Sequence, residues 1–516
     1  MKTPWAAVAL CVATTSGCHS LTEMPRDEAA ALLSALRDGY RKKDLAAYRE
    51  RLSEDFRGGR EAFLSALREE FERYAEIPRT KAHLLSMREV AGGWEARALF
   101  RVWGVTGDGT RRYEDRVLRL GFALDGRGEL RATRIEPVEQ RVVEGPGDGF
   151  RERAAEVGLA IRHTPHTPYD EANKKLVPGL YSGAGASAGD VDGDGWPDLL
   201  VGDGRQVRFL RNVSGNFVDA TAAAGLEGVG KVRGAYLVDV DDDGRLDAFF
   251  TTVKQRPRLF LNRGRLRFEE VPGWLEEVPE GNYESACFAD LDGDGDLDVY
   301  LCRYGIFEKV SFAYPLYNAT DGEPDVLLRN DGDRLRPVDA APARVKAWTL
   351  AVCAGDYDGD GDPDLYQVDD FGVNHLWRND GGWNFTDVSE EAGVTDQGFG
   401  MGSCFGDYDG DGDLDILVAN VHSSARWIFD DPDFPLPLVA DLFLRDYVRD
   451  EVDKVLRGNS LLQNQGDGTF VQKAGAAGIE RSEWAWGATF FDYDNDGDLD
   501  IYCPNGYITG TDPGDT

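Results

Sequence analysis

Six stretches of this 516-residue sequence share the pattern Asp-x-Asp-x-Asp-Gly-x-x-Asp, over 190–198, 239–247, 290–298, 356–364, 407–415 and 492–500. A hard divalent cation such as Ca²⁺ takes six to eight oxygens, and carboxylates at the first, third and fifth places converge on one point if the chain curls tightly. The invariant glycine at the sixth place (Gly195, Gly244, Gly295, Gly361, Gly412, Gly497) permits that curl. The expected ligands are Asp190, Asp192, Asp194 and Asp198 in the first loop and Asp239, Asp241, Asp243 and Asp247 in the second. The third and fourth offer Asp290, Asp292, Asp294 and Asp298, then Asp356, Asp358, Asp360 and Asp364. The last two offer Asp407, Asp409, Asp411 and Asp415, then Asp492, Asp494, Asp496 and Asp500. A main-chain carbonyl at the seventh place completes each set, which explains why that residue varies among Trp196, Arg245, Asp296, Asp362, Asp413 and Asp498. Mg²⁺ suits such a shell less well, since it demands stricter octahedral geometry and keeps its waters. The reading is about six calcium ions in a structural role, because the shell is all protein.

An EF-hand would need Glu at the twelfth place and flanking helices. Here that place is Val201, Phe250 or Leu301 in the first three copies, each ending a short apolar β-like run. The loops therefore join two strands. A lead-in strand rich in small residues precedes each, as in Ala351-Val352-Cys353-Ala354-Gly355, and a hairpin with an Asn-x-Gly type turn follows, at Asn379 and Asn464 and equivalently at Asn212, Asn262 and Asn330. A fourth strand is expected over Phe217–Leu226, Phe385–Val394 and Phe470–Ile479. Four strands per repeat describe a propeller blade, so residues 147–516 read as a mainly β, six- to seven-bladed β-propeller. A seventh blade would have to lack a loop or lie beyond Thr516. Gly149–Leu159 looks like a fourth strand placed ahead of the first loop, as if both termini built the closing blade, and the abrupt end at Thr516 points to a longer chain. Insertions are expected at 306–324 and 421–458, the second with a helix near Leu438–Leu456. His163 and His166 form an HxxH without a third ligand and read as loop residues. These features resemble FG-GAP/VCBS repeats, as in integrin α-subunit propellers and bacterial surface proteins. Ile161-Arg162-His163 followed by Leu176–Pro197 resembles the bacterial relatives of cartilage acidic protein, without their UnbV-type C-terminal domain.

Residues 20–146 read differently. Leu32, Leu33, Leu36 and Tyr40, then Leu45, Tyr48, Leu52 and Phe56, then Phe63, Leu64, Leu67 and Phe71 recur at helical spacing. After Pro78 the period becomes two, with Trp94, Ala96, Ala98, Phe100 and Val102 on one face, and strands are expected over Thr80–Val90, Tyr113–Leu124 and Glu129–Val138. Helices followed by about four antiparallel strands make a small α+β unit. Its order and size resemble the SnoaL-like cone of the nuclear transport factor family, which implies a curved sheet around a pocket. His83 is the segment's only histidine, so no His–Asp dyad is nominated. Ahead of it, residues 1–18 carry Lys2, a short apolar run and Gly17-Cys18. This resembles a lipoprotein-type signal with Cys18 as the lipidated residue, although Thr15 departs from the usual Leu.

Charge divides the same way. Residues 20–146 hold 24 Lys and Arg against 23 Asp and Glu, whereas 147–516 hold 32 against 70, of which 29 carboxylates sit in the six loops. The formal charge of −36 excludes non-specific nucleic-acid binding, which needs Lys and Arg on phosphates, and leaves the membrane accessible only through an N-terminal lipid anchor. Cys287, Cys302, Cys353, Cys404 and Cys503 are odd in number and lack CxxC spacing, so they read as packing residues. The expected function is an exported, lipid-anchored envelope or cell-surface scaffold whose calcium-stabilised propeller recognises a protein or glycan. The alternatives are a polysaccharide-acting or small-molecule enzyme using the propeller face or cone pocket, and a structural subunit of an envelope complex; no catalytic residue is nominated.

Overall fold

The computed structural model describes residues 26–145, 153–159, 161, 169–170, 175–176, 185–202, 206–230, 232–305, 319–422, 454, 456–480, 482 and 485–504. Cys18 and the signal segment, Gly149, His163, His166, most of both insertions including the Leu438–Leu456 helix, and the C-terminal end lie outside them. The chain divides into two compact units that meet in sequence between Glu152 and Arg153.

The first unit has helices α1 (Arg26–Arg41), α2 (Leu45–Arg51) and α3 (Arg60–Arg73), then strands β1 (Tyr74–Val90), β2 (Gly93–Thr106), β3 (Arg111–Leu124) and β4 (Leu130–Gly145). The strands form one antiparallel sheet in chain order. Asp44 starts α2, its Oδ1 accepting from the N–H groups of Ala46 and Ala47 at 3.0 and 3.1 Å. Leu33, Leu36, Tyr40 and Phe71 of the helices pack on Ala98, Phe100, Leu120 and Phe122 of the sheet, the faces that the two periodicities predicted. Two boundaries differ most. β4 runs on to Gly145, seven residues past the expected Val138, because it pairs with β3 as far as Arg111. β1 starts at Tyr74, ahead of Pro78, because a register shift between Glu76 and Arg79 carries the edge strand past a residue with no N–H.

The second unit opens with a two-residue hairpin, β5 (Tyr169–Asp170) and β6 (Lys175–Leu176), and is then built of repeats. Repeat 1 comprises β7 (Ala186–Gly189), β8 (Asp198–Gly202), β9 (Val207–Val213) and β10 (Asn216–Asp219). Repeat 2 has β11 (Ala235–Val238), β12 (Asp247–Phe250), β14 (Arg258–Asn262) and β15 (Phe268–Glu270), while β13 (Val253–Gln255) joins the sheet of repeat 3. Repeat 3 has β16 (Gly281–Ala289), β17 (Asp298–Arg303), β18 (Val326–Asn330) and β19 (Leu335–Val338). Repeat 4 has β20 (Thr349–Gly355), β21 (Asp364–Asp369), β22 (His375–Asn379) and β23 (Phe385–Asp387). Repeat 5 has β24 (Gly400–Gly406), β25 (Asp415–Asn420), β26 (Ser460–Asn464) and β27 (Phe470–Gln472). Repeat 6 is described only as β28 (Thr489–Phe491) and β29 (Asp500–Tyr502). Every sheet is antiparallel, and every loop joins the first strand of its repeat to the second.

Packing explains the sequence of these strands. A side-chain period of two sends neighbours on one strand to opposite faces. On β12, Phe250 packs with Leu200 and Phe209 of repeat 1, and Phe249 packs with Val299 and Leu328 of repeat 3. On β21, Leu365 packs with Tyr300 of repeat 3, and Tyr366 packs with Ile416 and Leu462 of repeat 5. Both faces are covered, so the second strands are apolar on both sides, apart from Gln367 of β21, which is buried among hydrogen-bond partners. The lead-in strands are small because they crowd their neighbours: a Cβ on Gly406 would lie 2.6 Å from Phe490 of repeat 6. The cysteines are free thiols, Cys302 buried and Cys287, Cys353 and Cys404 half-buried on these strands, with burial pushing Cys287 and Cys404 up to about 11.

The fourth strands are shorter than expected. β23 and β27 stop after three residues and give way to one helical turn each, α4 (Ser389–Ala392) and α5 (Ala474–Ala477), ended by Gly393 and Gly478 at φ 72° and 76°. The Ala-Gly-apolar ending is thus a capped turn rather than a strand. In repeat 1 the corresponding turn offers the Ala224 carbonyl to the Phe268 N–H at 2.9 Å. Ahead of repeat 1, the Val157 carbonyl receives the Phe217 N–H at 2.8 Å in the same manner. Residues 153–159 are therefore a turn, not a strand.

Candidate metal centres

Each loop is wound around its first aspartate. Asp356 Oδ1 accepts from the N–H groups of Gly359 and Asp360, and Oδ2 from that of Gly361, at 2.8–3.1 Å. Asp190, Asp290 and Asp407 repeat all three bonds. The curl needs positive φ twice, at the glycine in the sixth place and also at the fourth. The fourth place holds Gly193, Asp242, Gly293, Gly359, Gly410 and Asn495, at φ 51–76°. Gly, Asp and Asn are the residues that accept this conformation, a restriction present in the sequence and missed by reading only the sixth place.

The curl gathers carboxylate oxygens to within 4.8 Å of one another from Asp190, Asp192 and Asp194, from Asp290, Asp292 and Asp294, and from Asp356, Asp358 and Asp360. In the second and fifth loops the ninth residue joins instead, in the sets Asp239, Asp241, Asp247 and Asp407, Asp409, Asp415. At the third place one oxygen is held from outside: Arg211 pairs with Asp192 at 2.6 Å, the Trp383 indole donates to Asp292 at 2.9 Å, and Gln463 donates to Asp409. The other, Oδ1 of Asp192, Asp241 and Asp292, is buried with no hydrogen-bond partner. A buried carboxylate oxygen left without a donor is costly. Hard-cation chemistry fits this donor set, which supplies oxygen ligands of concentrated negative charge.

The ninth aspartates do more than close a shell. Asp198, Asp247, Asp298, Asp364 and Asp415 are fully buried. Asp364 Oδ2 accepts from Tyr357 N–H of its own loop and Oδ1 from Asn379 N–H of the third strand, at 3.1 and 2.8 Å. Burial, augmented by the neighbouring loop carboxylates, pushes Asp298 and Asp364 up to about 7 and Asp247 and Asp415 to about 6. Among the seventh-place side chains, Trp196 is exposed, and Arg245 donates through Nε to the Asn262 carbonyl at 2.8 Å while its Nη2 pairs with Asp243 of its own loop. The loop of repeat 6 keeps the winding of Asp492, which accepts from Asp496 and Gly497 N–H at 3.1 and 3.0 Å, and the bond from Tyr493 N–H to Asp500 at 3.1 Å.

The hairpin asparagines prove to be more than turn formers. Asn379 Nδ2 donates to the Pro363 carbonyl of its own loop at 3.1 Å and to the Leu291 carbonyl of the preceding loop at 3.0 Å. Asn262, Asn330 and Asn464 reach back to Val191, Val240 and Tyr357 in the same way, at 2.8–3.2 Å. Consecutive loops are therefore hydrogen-bonded into a series.

The far ends of the same strands carry a second polar group. Asp325 accepts from the Tyr300 hydroxyl at 2.9 Å, and Asp370 from the Tyr304 hydroxyl at 2.6 Å. Tyr304, Trp348, Phe371 and Phe399 stack edge-on beside them, with centroids 5.2–5.7 Å apart. Burial pushes Asp325 and Asp370 up to about 7, with Asp369 nearby adding to both. Because the folded pKa exceeds the unfolded value of ~3.9, their contribution to stability is present near pH 4 and lost as pH rises through 7. With calcium saturating, the double variant D325N/D370N is expected to flatten the fall in melting temperature between pH 5 and 8; an unaltered slope would refute this assignment.

Repeated four-stranded sheets with aspartate loops between their first and second strands define the class. Residues 190–250, 239–301, 356–418 and 440–503 match the model of the FG-GAP-like repeat, so the chain carries FG-GAP-like repeats. It is 28% identical to cartilage acidic protein 1 of Mus musculus over 205 residues, 38% of this chain and 30% of that protein. The chain thus spans less than a third of that relative's length. Among solved structures, a conserved protein of Planctomyces limnophilus aligns with 22% of this chain and 98% of its own, at 17% identity and a TM-score of 0.20. The Vibrio cholerae biofilm matrix protein Bap1 aligns with 56% of this chain and 38% of its own, at 15% identity and a TM-score of 0.30.

Proposed function

We propose that the repeats form a calcium-held β-propeller acting as an extracellular recognition scaffold, exported and lipid-anchored through Cys18. The observation that carries this reading is the clustering of carboxylate oxygens within 4.8 Å in successive loops, with buried third-place oxygens lacking donors. Bound calcium supplies positive charge and six to eight coordination bonds at each loop. The chain's own residues supply the preorganisation: backbone N–H groups orient the first aspartate, and the ninth ties each loop to its third strand. Ring closure is supported by Val157, which serves repeat 1 as Ala224 serves repeat 2. A turn of that kind ahead of the first repeat belongs to a sheet completed from both ends of the chain. The match to cartilage acidic protein supports an extracellular setting, and no helix among the described residues is long and apolar enough to cross a membrane.

The partner, a protein or a glycan, docks at the strand ends away from the loops. Both insertions leave the sheets there, after Tyr304 and Asn420, and the Tyr304, Trp348, Phe371 and Phe399 cluster lies at the same ends. Phe399 holds a non-glycine backbone at φ 27°, a conformation kept only where surrounding structure imposes it. The calcium-loaded full chain is to be screened on a glycan array and in pull-downs from surface extracts. A captured partner should bind the Phe371→Ala variant at least ~10-fold more weakly, the loss of a central aromatic contact, with calcium binding unchanged. Undiminished binding by that variant would place recognition elsewhere.

A further inference from the structure

The residue ahead of the hairpin asparagine is Arg211 in repeat 1, Arg329 in repeat 3, Arg378 in repeat 4 and Gln463 in repeat 5. A side-chain period of two puts it on the same face as the residue after the asparagine. In repeats 3 and 4 that next residue is an aspartate and takes the arginine: Arg329 Nε donates to Asp331, and Arg378 Nε to Asp380, both at 2.8 Å. In repeat 1 it is Val213, and Arg211 turns instead to its own loop, pairing through Nη2 with Asp192 at 2.6 Å and Asp194 at 3.2 Å. Repeat 2 brings two arginines. Arg245, within the loop, pairs with Asp243, and Arg263 pairs with Glu269 at 3.0 Å and reaches Asp241 at 3.8 Å. We propose that, with calcium as the ion of these loops as read above, repeats 1 and 2 bind it at least ~10-fold more weakly than repeats 3, 4 and 5, because arginines neutralise their ligand carboxylates.

Charge sets the order. In repeat 1 four loop aspartates face one guanidinium, which leaves a formal −3. In repeat 2 five face Arg245 and a guanidinium shared with Glu269, which leaves −3 to −4. The loops of repeats 3, 4 and 5 carry five aspartates each. Their third-place carboxylates take neutral donors where a side chain reaches them, the Trp383 indole on Asp292 at 2.9 Å and Gln463 on Asp409. Calcium affinity in oxygen cages follows the charge of the ligand set. A unit charge about 6 Å from a divalent ion changes its affinity by a factor of about ten even in water. Repeats 3 to 5 therefore fill first as calcium rises, and repeats 1 and 2 respond at higher concentration.

Hydrogen exchange read by mass spectrometry on the full chain, at stepped free calcium, follows each loop separately. Peptides spanning 290–298, 356–364 and 407–415 should gain protection at a free calcium at least ~10-fold lower than those spanning 190–198 and 239–247. Arg211→Gln, which copies repeat 5, should lower the midpoint of 190–198 by ~10-fold, whereas Arg211→Lys, which keeps the charge, should leave it in place. Val213→Asp, an exposed position, copies repeats 3 and 4 and should lower the same midpoint by drawing Arg211 away. An arginine serving only to brace the loop would give the opposite sign, since its loss would raise the midpoint. Coincident midpoints for all five loops, or a midpoint in Arg211→Gln no lower than in the wild-type chain, would overturn the proposal and leave calcium in the loops. Protection indifferent to calcium in every loop would overturn it together with the calcium reading.

Discussion

Chelation with EGTA is expected to lower the melting temperature of the repeat unit by roughly 10–25 °C relative to saturating calcium. An ion that binds only the folded state stabilises it by ~2.7 kcal/mol per site at a hundredfold excess over Kd, and five to six loops act together. The magnitude follows from what the loops hold without metal. Buried third-place oxygens have no donor, and ninth-place carboxyls are pushed up to about 7 in repeats 3 and 4. Both conditions penalise the metal-free fold, and a divalent cation relieves both. The α+β unit has no such loop, and its transition should stay put. Differential scanning calorimetry with and without EGTA reads both transitions; a repeat-unit melting temperature indifferent to calcium would contradict the metal assignment.

Asn379→Ala is expected to cost about 3 kcal/mol in chemical denaturation with calcium present, and Asn212→Ala only about 1 kcal/mol. The two residues occupy the same turn. Asn212 Nδ2 donates to the Pro197 carbonyl of its own loop, and its Oδ1 accepts from Gly215 N–H. Asn379 makes both equivalent bonds and adds the one to Leu291, so its loss leaves two buried carbonyls without donors, one of them in the preceding loop. Calcium titration monitored by calorimetry should accordingly show weaker binding at two loops in Asn379→Ala. Equal costs for the two asparagines would dispose of the idea that loops are coupled through this residue.

The loops were legible because metal chemistry is local. Carboxylates that must meet within one turn of chain have to sit a fixed number of residues apart, and positive φ restricts which residues stand between them. The amphipathic helices and the alternating face of β2 were legible for a similar reason, since side-chain direction repeats along a helix or strand. The second strands were legible as short apolar runs, but not the two faces they cover. The start of β1 was not, because Pro78 ends a helix pattern and equally sits in an edge-strand register shift. The Ala-Gly endings of the fourth strands were read as strand because alternation outweighed a glycine that caps one turn of helix.

Residue types and spacing alone determined where carboxylates could gather, that strands rather than helices flank them, and how charge divides along the chain. Tertiary structure alone decided that Asn379 bonds to a loop 88 residues away and that Asp364 spends both oxygens on backbone N–H groups. Those relations join segments distant along the chain, and no rule of spacing carries information about partners brought together only by packing.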